Sequence, residues 1–322
     1  MTFKLFATVV ALCCAAPASL AEIAYPDKPI KIVNPFPAGS PVDFVGRLIA
    51  NKLEIAFGQP ALVESRSGAG GVVGANSVAK SAPDGYTLLV TTPSTVATAP
   101  ALVKSLPYEP LRDFAPIWAV NSGGLVVVVN PSLPIKTLGE LVQYARAHPG
   151  ELSFASSGHG TTQHLAGELF MARTGVKLLH VPYRGGAPAT TDLIAGHVHV
   201  MFDSLSNTYQ SIQAGKLRAL ALLRPKRNAL FPDLPTAAEA GVQGVETSGW
   251  IGLFAPAATP KDILGKLTGT VATAMQDPET VKRLVEAGND NDFMVGEVLG
   301  KRLADDIRLF AEVVAKAGIE PQ

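Results

Sequence analysis

Short apolar runs, small polar or glycine-rich loops and stretches with apolar residues at helical spacing alternate along most of this chain. Residues 30–34 are an apolar strand pattern, 35–40 a Pro/Gly/Ser loop, and 41–50 a helix pattern. Residues 60–64 predict a short strand, and 65–82 a glycine-rich loop that opens a helix. A turn at Asp84-Gly85 and a strand over 86–90 follow, then a hydroxyl-rich loop. Two apolar stretches flank residues 121–124, and the all-apolar 126–129 predicts a strand buried on both faces. A crossover between two α/β units is placed there.

The second unit repeats the layout of the first. A helix over 134–148 has Thr137 as N-cap with Glu140 three residues on. Residues 152–175 read strand, small polar loop, helix; residues 177–196 read strand, Arg-Gly-Gly loop, helix; residues 197–206 read as a strand with a polar end. Residues 215–223 predict a strand, 232–241 a short capped helix, and 248–260 a second crossing strand closed by prolines. Helices over 262–275, 278–287 and 296–317 finish the chain, with Asp277-Pro278 as cap and first position. The pattern predicts an α/β protein of two lobes. Lobe 1 takes residues 22–122 and 249–322, lobe 2 takes 123–248, and the C-terminal helices pack back on lobe 1.

With 47% hydrophobic and 17% charged residues, the 322-residue chain has a globular composition large enough for two cores. Lys+Arg and Asp+Glu both number 27, and no basic run appears, which argues against nucleic acid as a partner. Residues 1–21 carry one Lys, an apolar stretch, then small residues ending at Ser19 and Ala21, the pattern of a secretory signal cleaved before Glu22. The alternative of a membrane anchor is disfavoured by the short apolar core and Pro17. Both cysteines, Cys13 and Cys14, lie in this segment, so the mature chain is expected to have no disulfide, thiol chemistry or cysteine metal site.

Candidate chemistry gathers in loops that follow strands and open helices, where unpaired N–H groups and a partial positive charge favour anions. The loops 36–43, 91–95 and 156–164 contain no Lys or Arg. An anion there would rest on backbone amides around Ala38, Gly39 and Gly158, and on the hydroxyls of Ser40, Thr92, Ser94, Ser156, Ser157, Thr161 and Thr162. Such a seat suits a carboxylate better than a phosphate. Phe36 either walls the ligand or packs in the core, and Asp43 caps or orients its own helix. Asp203, at a strand end, either accepts from a ligand ammonium or hydroxyl or braces a buried loop. Arg66 is expected to brace its loop, and Arg184 is open between ligand and loop. His164, one turn into a helix, caps or packs.

His197 and His199 share a strand face, but nothing nearby completes a metal site. Gly68, Gly70 and Gly74 miss the dinucleotide-binding spacing, so no nucleotide cofactor is expected. A secreted serine hydrolase using Ser157 near His159 or His164 is the competing class, although no G-x-S-x-G elbow occurs.

The segments YPDKPIKIVNPFPAG, ESRSGAGGVVGA, APDGYTLL, LPYEPLRDFAPI, SFASSGHGTTQHLAGELF, HVPYRGGAPATTDLIAG, KLRALAL and PDLPTAAEAGV together resemble the periplasmic solute receptors of tripartite tricarboxylate transporters, the Bug or TctC family. The resemblance covers nearly all of the mature chain. It implies a two-lobed type II periplasmic-binding-protein fold, a small carboxylate held between the lobes, delivery to a membrane permease, a periplasmic location and a monomer without cofactor or metal. A ligand sensor for a signalling protein would look the same. The chain departs from the family pattern at Ser40, where a second Gly is usual, at SRSGAGG for NRPGAGG, and before Pro100, where an Asn is usual. Asp43 is kept.

Overall fold

The computed structural model describes residues 25–321 apart from 123, 229, 230 and 248; the expected signal segment 1–21 lies outside the described residues. In chain order the elements are β1 (Ile30–Asn34), α1 (Pro41–Phe57), β2 (Ala61–Ser65), α2 (Val72–Ala79), β3 (Thr87–Thr91), the short helices α3 (Ala99–Leu102) and α4 (Pro110–Asp113), and β4 (Phe114–Asn121). There follow β5 (Leu125–Val129), α5 (Leu138–Ala147), β6 (Ser153–Ser156), α6 (Thr162–Thr174), β7 (Leu179–Pro182), α7 (Gly186–Ala195), β8 (Val200–Ser204), α8 (Leu205–Gln213) and β9 (Arg218–Leu222). The chain ends with β10 (Trp250–Pro256), α9 (Lys261–Ala274), α10 (Pro278–Glu286), β11 (Phe293–Val295) and α11 (Glu297–Ala317).

These strands form two sheets, each at the centre of one lobe. The first has order β11-β4-β10-β3-β1-β2 and the second β7-β6-β8-β5-β9. The parallel pairs β1/β2, β1/β3, β6/β7 and β6/β8 put the loops after β1 and β3 at one sheet edge, and those after β6 and β8 at the corresponding edge of the other. The chain leaves the first sheet after β4 and returns through β10, and these two strands run antiparallel side by side. The two passages are tied where the Ser122 amide donates to the Gly249 carbonyl. Val126 to Val129 are fully buried, as their apolar run requires of a strand covered on both faces.

The C-terminal helices return to lobe 1. Leu267, Val271, Met275 and Leu284 join the core under α1. Amphipathic α11 seals the other face of the sheet through Leu299, Leu303 and Phe310, and the Trp250 indole donates to Asp306 at 2.7 Å. Helix α11 also reaches lobe 2: Leu165 and Leu169 of α6 lie in the same apolar cluster.

Several elements differ from the sequence pattern. Residues 232–241 form a single turn rather than a helix. The Thr236/Glu239 cap is present, but the Leu222 amide donates to Pro235 and the Ala237 amide to Leu222, so the sheet edge captures the backbone first. The hydroxyl-rich loop after β3 winds into a wide π-helical turn, Ser94–Thr98, where fully buried Thr95 bonds the Gly70 carbonyl. Polar α8 and short β11 are elements the pattern did not predict.

Candidate ligand-binding cleft

On lobe 1, β1 ends at fully buried Asn34, whose Oδ1 accepts from the Phe36 amide at 3.0 Å and whose Nδ2 donates to Ser65 at 3.4 Å. The loop turns at Gly39, with φ +80°, a conformation that favours glycine. The Gly39 amide donates to Asp43 Oδ2 at 3.0 Å, and Ser40 Oγ accepts from the Asp43 amide at 3.2 Å. Burial alone would raise the Asp43 pKa, but hydrogen bonds from Arg47 and the Gly39 amide outweigh it and hold the carboxyl below the usual range. Asp43 therefore orients its own helix. The Phe44 amide goes to the Ser40 carbonyl and Pro41 has no N–H, so Val42 keeps the unspent donor of the first turn of α1.

Phe36 is half-buried against the lobe 1 core, and Ala38 is exposed at the loop tip. In the first turn of α2 a bare backbone permits close packing: a Cβ on Gly74 would lie 2.8 Å from both Pro35 and the Arg66 carbonyl. Arg66 pairs with Glu64 rather than with loop carbonyls.

On lobe 2, fully buried Ser156 ends β6. Its hydroxyl donates to the Gly158 carbonyl at 3.0 Å, accepts from the Gly158 amide at 3.2 Å, and lies 2.7 Å from His180 Nε2. Thr161 caps α6 by accepting from the His164 amide at 3.4 Å. Asp203 is fully buried at the end of β8; it accepts from Gln163 at 3.0 Å, from the Ser204 amide at 2.7 Å and from Asn207. Burial pushes its pKa up, against the lowering effect of these bonds. Asp203 thus acts as the brace joining the first turns of α6 and α8. A Cβ on Gly186 would come 2.7 Å from Asn207 Nδ2 and 3.4 Å from Ser157 Oγ, so a bare backbone lets α7 start against both side chains.

The lobes meet through hydroxyls. Ser94 Oγ lies 3.1 Å from Thr162 Oγ1 and accepts from the Thr162 amide at 3.4 Å. With the His164 amide spent on Thr161, Gln163 retains the free N–H of the first turn of α6. A cavity of about 330 Å³ opens beside this contact, lined by Gly70, Ser94, Leu102, His159, Thr161 and Glu320 among others, and by no lysine or arginine among the described residues. Thr92, half-buried, lies just upstream at the end of β3.

Of the predicted residues, Ser94, Thr161 and His164 line this cavity and Thr162 joins the contact beside it, while the 36–43 loop lies outside its lining. Arg184 is exposed and has no hydrogen bond or ion pair among the described residues, although its neighbours Tyr183 and Gly185 donate to the Ser156 and Ser157 carbonyls. His164 is buried, accepting from the Gly160 amide at 3.1 Å and approaching Glu168 at 3.4 Å. His197 and His199 go to separate partners, Asp192 and the Ser153 amide. The hydrolase arrangement is not formed as expected: the serines that lie on a histidine are the buried Ser153, on His199, and Ser156, on His180, and not Ser157. Sequence reading missed Gln163, Asn207 and His180, whose placing depends on neighbours distant in sequence.

Two α/β lobes that meet through the loops after β3 and β6, beside a cavity at that contact, define a solute-binding protein of the periplasmic type. Residues 45–319 match the family model of the tripartite tricarboxylate transporter family receptor. Among curated relatives, Protein BugT of Bordetella pertussis is 37% identical over 91% of this chain and 90% of its own. A UPF0065 protein from the tcbD-tcbE intergenic region of Pseudomonas sp. strain P51 is 40% identical over 82% and 79%. Among solved structures, R. palustris Rpa4515 with adipate superposes with TM-score 0.85 at 35% identity, covering 92% of this chain and 100% of that one. MatC from Rhodopseudomonas palustris with bound malate gives 0.80 at 32%, covering 90% and 100%. The chain belongs to the tripartite tricarboxylate transporter receptor family.

Proposed function

We propose that the protein is a periplasmic receptor that holds a small organic carboxylate between its lobes and delivers it to the permease of a tripartite tricarboxylate transporter. The observation that carries this reading is the meeting of the lobes through Ser94, on the loop after β3, and Thr162, in the first turn of α6, beside a cavity with no lysine or arginine among its described lining residues; α1 and α6 each keep one unspent first-turn N–H. The amides of Val42 and Gln163 and the hydroxyls of Ser40, Thr92, Ser94, Ser157 and Thr162 form the seat, with Phe36 as its apolar wall. Asp43, Ser156, Thr161 and Asp203 hold the seat in shape. Related receptors solved with adipate and with malate support a dicarboxylate as the ligand class.

On this reading residues 1–21 are removed as the protein is exported, lobe 1 is 22–122 plus 249–322, lobe 2 is 123–248, and the receptor works as a monomer without chemistry of its own. A thermal-shift screen of the purified mature chain against di-, tri-, hydroxy- and amino-carboxylates tests it. Ligand at about 100 times its Kd adds about 2.7 kcal/mol, a shift of several degrees. No shift across the panel, or ester turnover lost in Ser157→Ala, would overturn it.

A further inference from the structure

Three of the six histidines gather at one edge of the cleft, although they come from three elements. His159 is on the loop after β6, His164 on α6 and His180 on β7. One nitrogen from each lies within 4.8 Å of the others. The rings of His164 and His180 stack at 3.9 Å and 15°, backed by Phe154, and His159 stands nearly perpendicular to both. The cluster meets the carboxylate seat's bracing through the Ser156–His180 bond, whereas His159 is exposed with no hydrogen bond or ion pair among the described residues.

We propose that His159, His164 and His180 form a site for a borderline divalent cation of the zinc, cobalt or nickel class, with a coordination position open to the neighbouring cavity. Imidazole is the ligand these ions favour, and three protein ligands leave a fourth position for water or another donor. Outer partners are already in place. Glu168 lies 3.4 Å from His164 Nε2, the carboxylate–histidine arrangement that orients a metal ligand. The Ser156 hydroxyl, donating to Gly158, accepts from His180 Nε2 and leaves His180 Nδ1 as a lone-pair donor.

Two near-parallel rings cannot aim in-plane lone pairs at one point. The ion therefore fans the His164/His180 stack open and replaces the Gly160 N–H at His164 Nδ1. The cavity borders His159 and His164, so the open position faces the space beside Ser94 and Thr161.

The inference stands apart from the carboxylate reading and is tested with the metal alone. Tag-free mature chain, stripped with chelator, is titrated with Co²⁺ and Zn²⁺ by absorbance and calorimetry. One equivalent is expected to bind, with the visible bands of four-coordinate Co²⁺. His159→Ala and His180→Phe should each weaken it at least about tenfold, while His148→Ala and His197→Ala leave it unchanged. His159 is exposed and its loss does not threaten the fold; His180→Phe keeps a flat ring on Phe154. Absence of saturable one-equivalent binding, or wild-type affinity in both cluster variants with unchanged metal-free melting, would overturn the site.

Discussion

Ser40 marks a point where the chain leaves its family's pattern, and its hydroxyl accepts from the amide three residues on. Such i to i+3 chemistry is local, and for that reason the roles of Asp43 and Thr137 were legible in the sequence: both act within one turn of their own helix. The roles of Gln163 and Asn207 were not, because both are defined by Asp203, whose strand meets them only after the lobe is assembled. Every partner of Asp203 is a donor, so Asp203→Asn sets an amide N–H against another donor and should cost about 1–3 kcal/mol. The pH dependence has a definite sign. The native carboxyl is raised by burial, so its contribution to stability is full below the unfolded pKa and is lost as pH rises through the native one. Urea unfolding from pH 3.5 to 7 should therefore show the wild-type advantage over the variant shrinking as pH rises; a growing advantage would contradict the assignment.

At the scale of elements, the sequence pattern located the strands and long helices because apolar periodicity sets them directly. It missed α8, whose Ser, Asn and Thr residues are modest helix formers and whose first turn is fixed by Asp203. It overextended 232–241, where the sheet competes for the same backbone groups. Helix α6 joins three parts of the molecule: its N-terminus meets Ser94, its apolar face meets α11, and Gly167 passes directly over Phe154. A Cβ on Gly167 would lie 2.4 Å from the Phe154 ring, so Gly167→Ala must displace the aromatic that backs His164 and His180. Overpacking of this kind should cost about 1–3 kcal/mol in denaturant unfolding. A neutral result would mean that α6 sits less tightly than described.

Across the whole molecule, two lobes are joined by adjacent passages at Ser122 and Gly249, and Arg224 at the join pairs with Asp290 at 2.7 Å. The seam between α6 and α11 and the Ser94–Thr162 contact hold the lobes together on the cleft side. The two-lobed plan was legible because the strand-loop-helix layout repeats; the seam was not, because an amphipathic C-terminal helix does not announce which lobe its second contact will reach. The central claim is that a carboxylate is held by helix-terminal amides and hydroxyls without a cationic side chain. Amides in a closed cleft are little screened, unlike exposed charges. Calorimetric titration of the mature chain with adipate or malate, whichever gives the larger thermal shift, at about 0.05 M and about 0.5 M NaCl tests this most directly. The account predicts a Kd that changes by less than about threefold, and a loss of affinity of tenfold or more would contradict it.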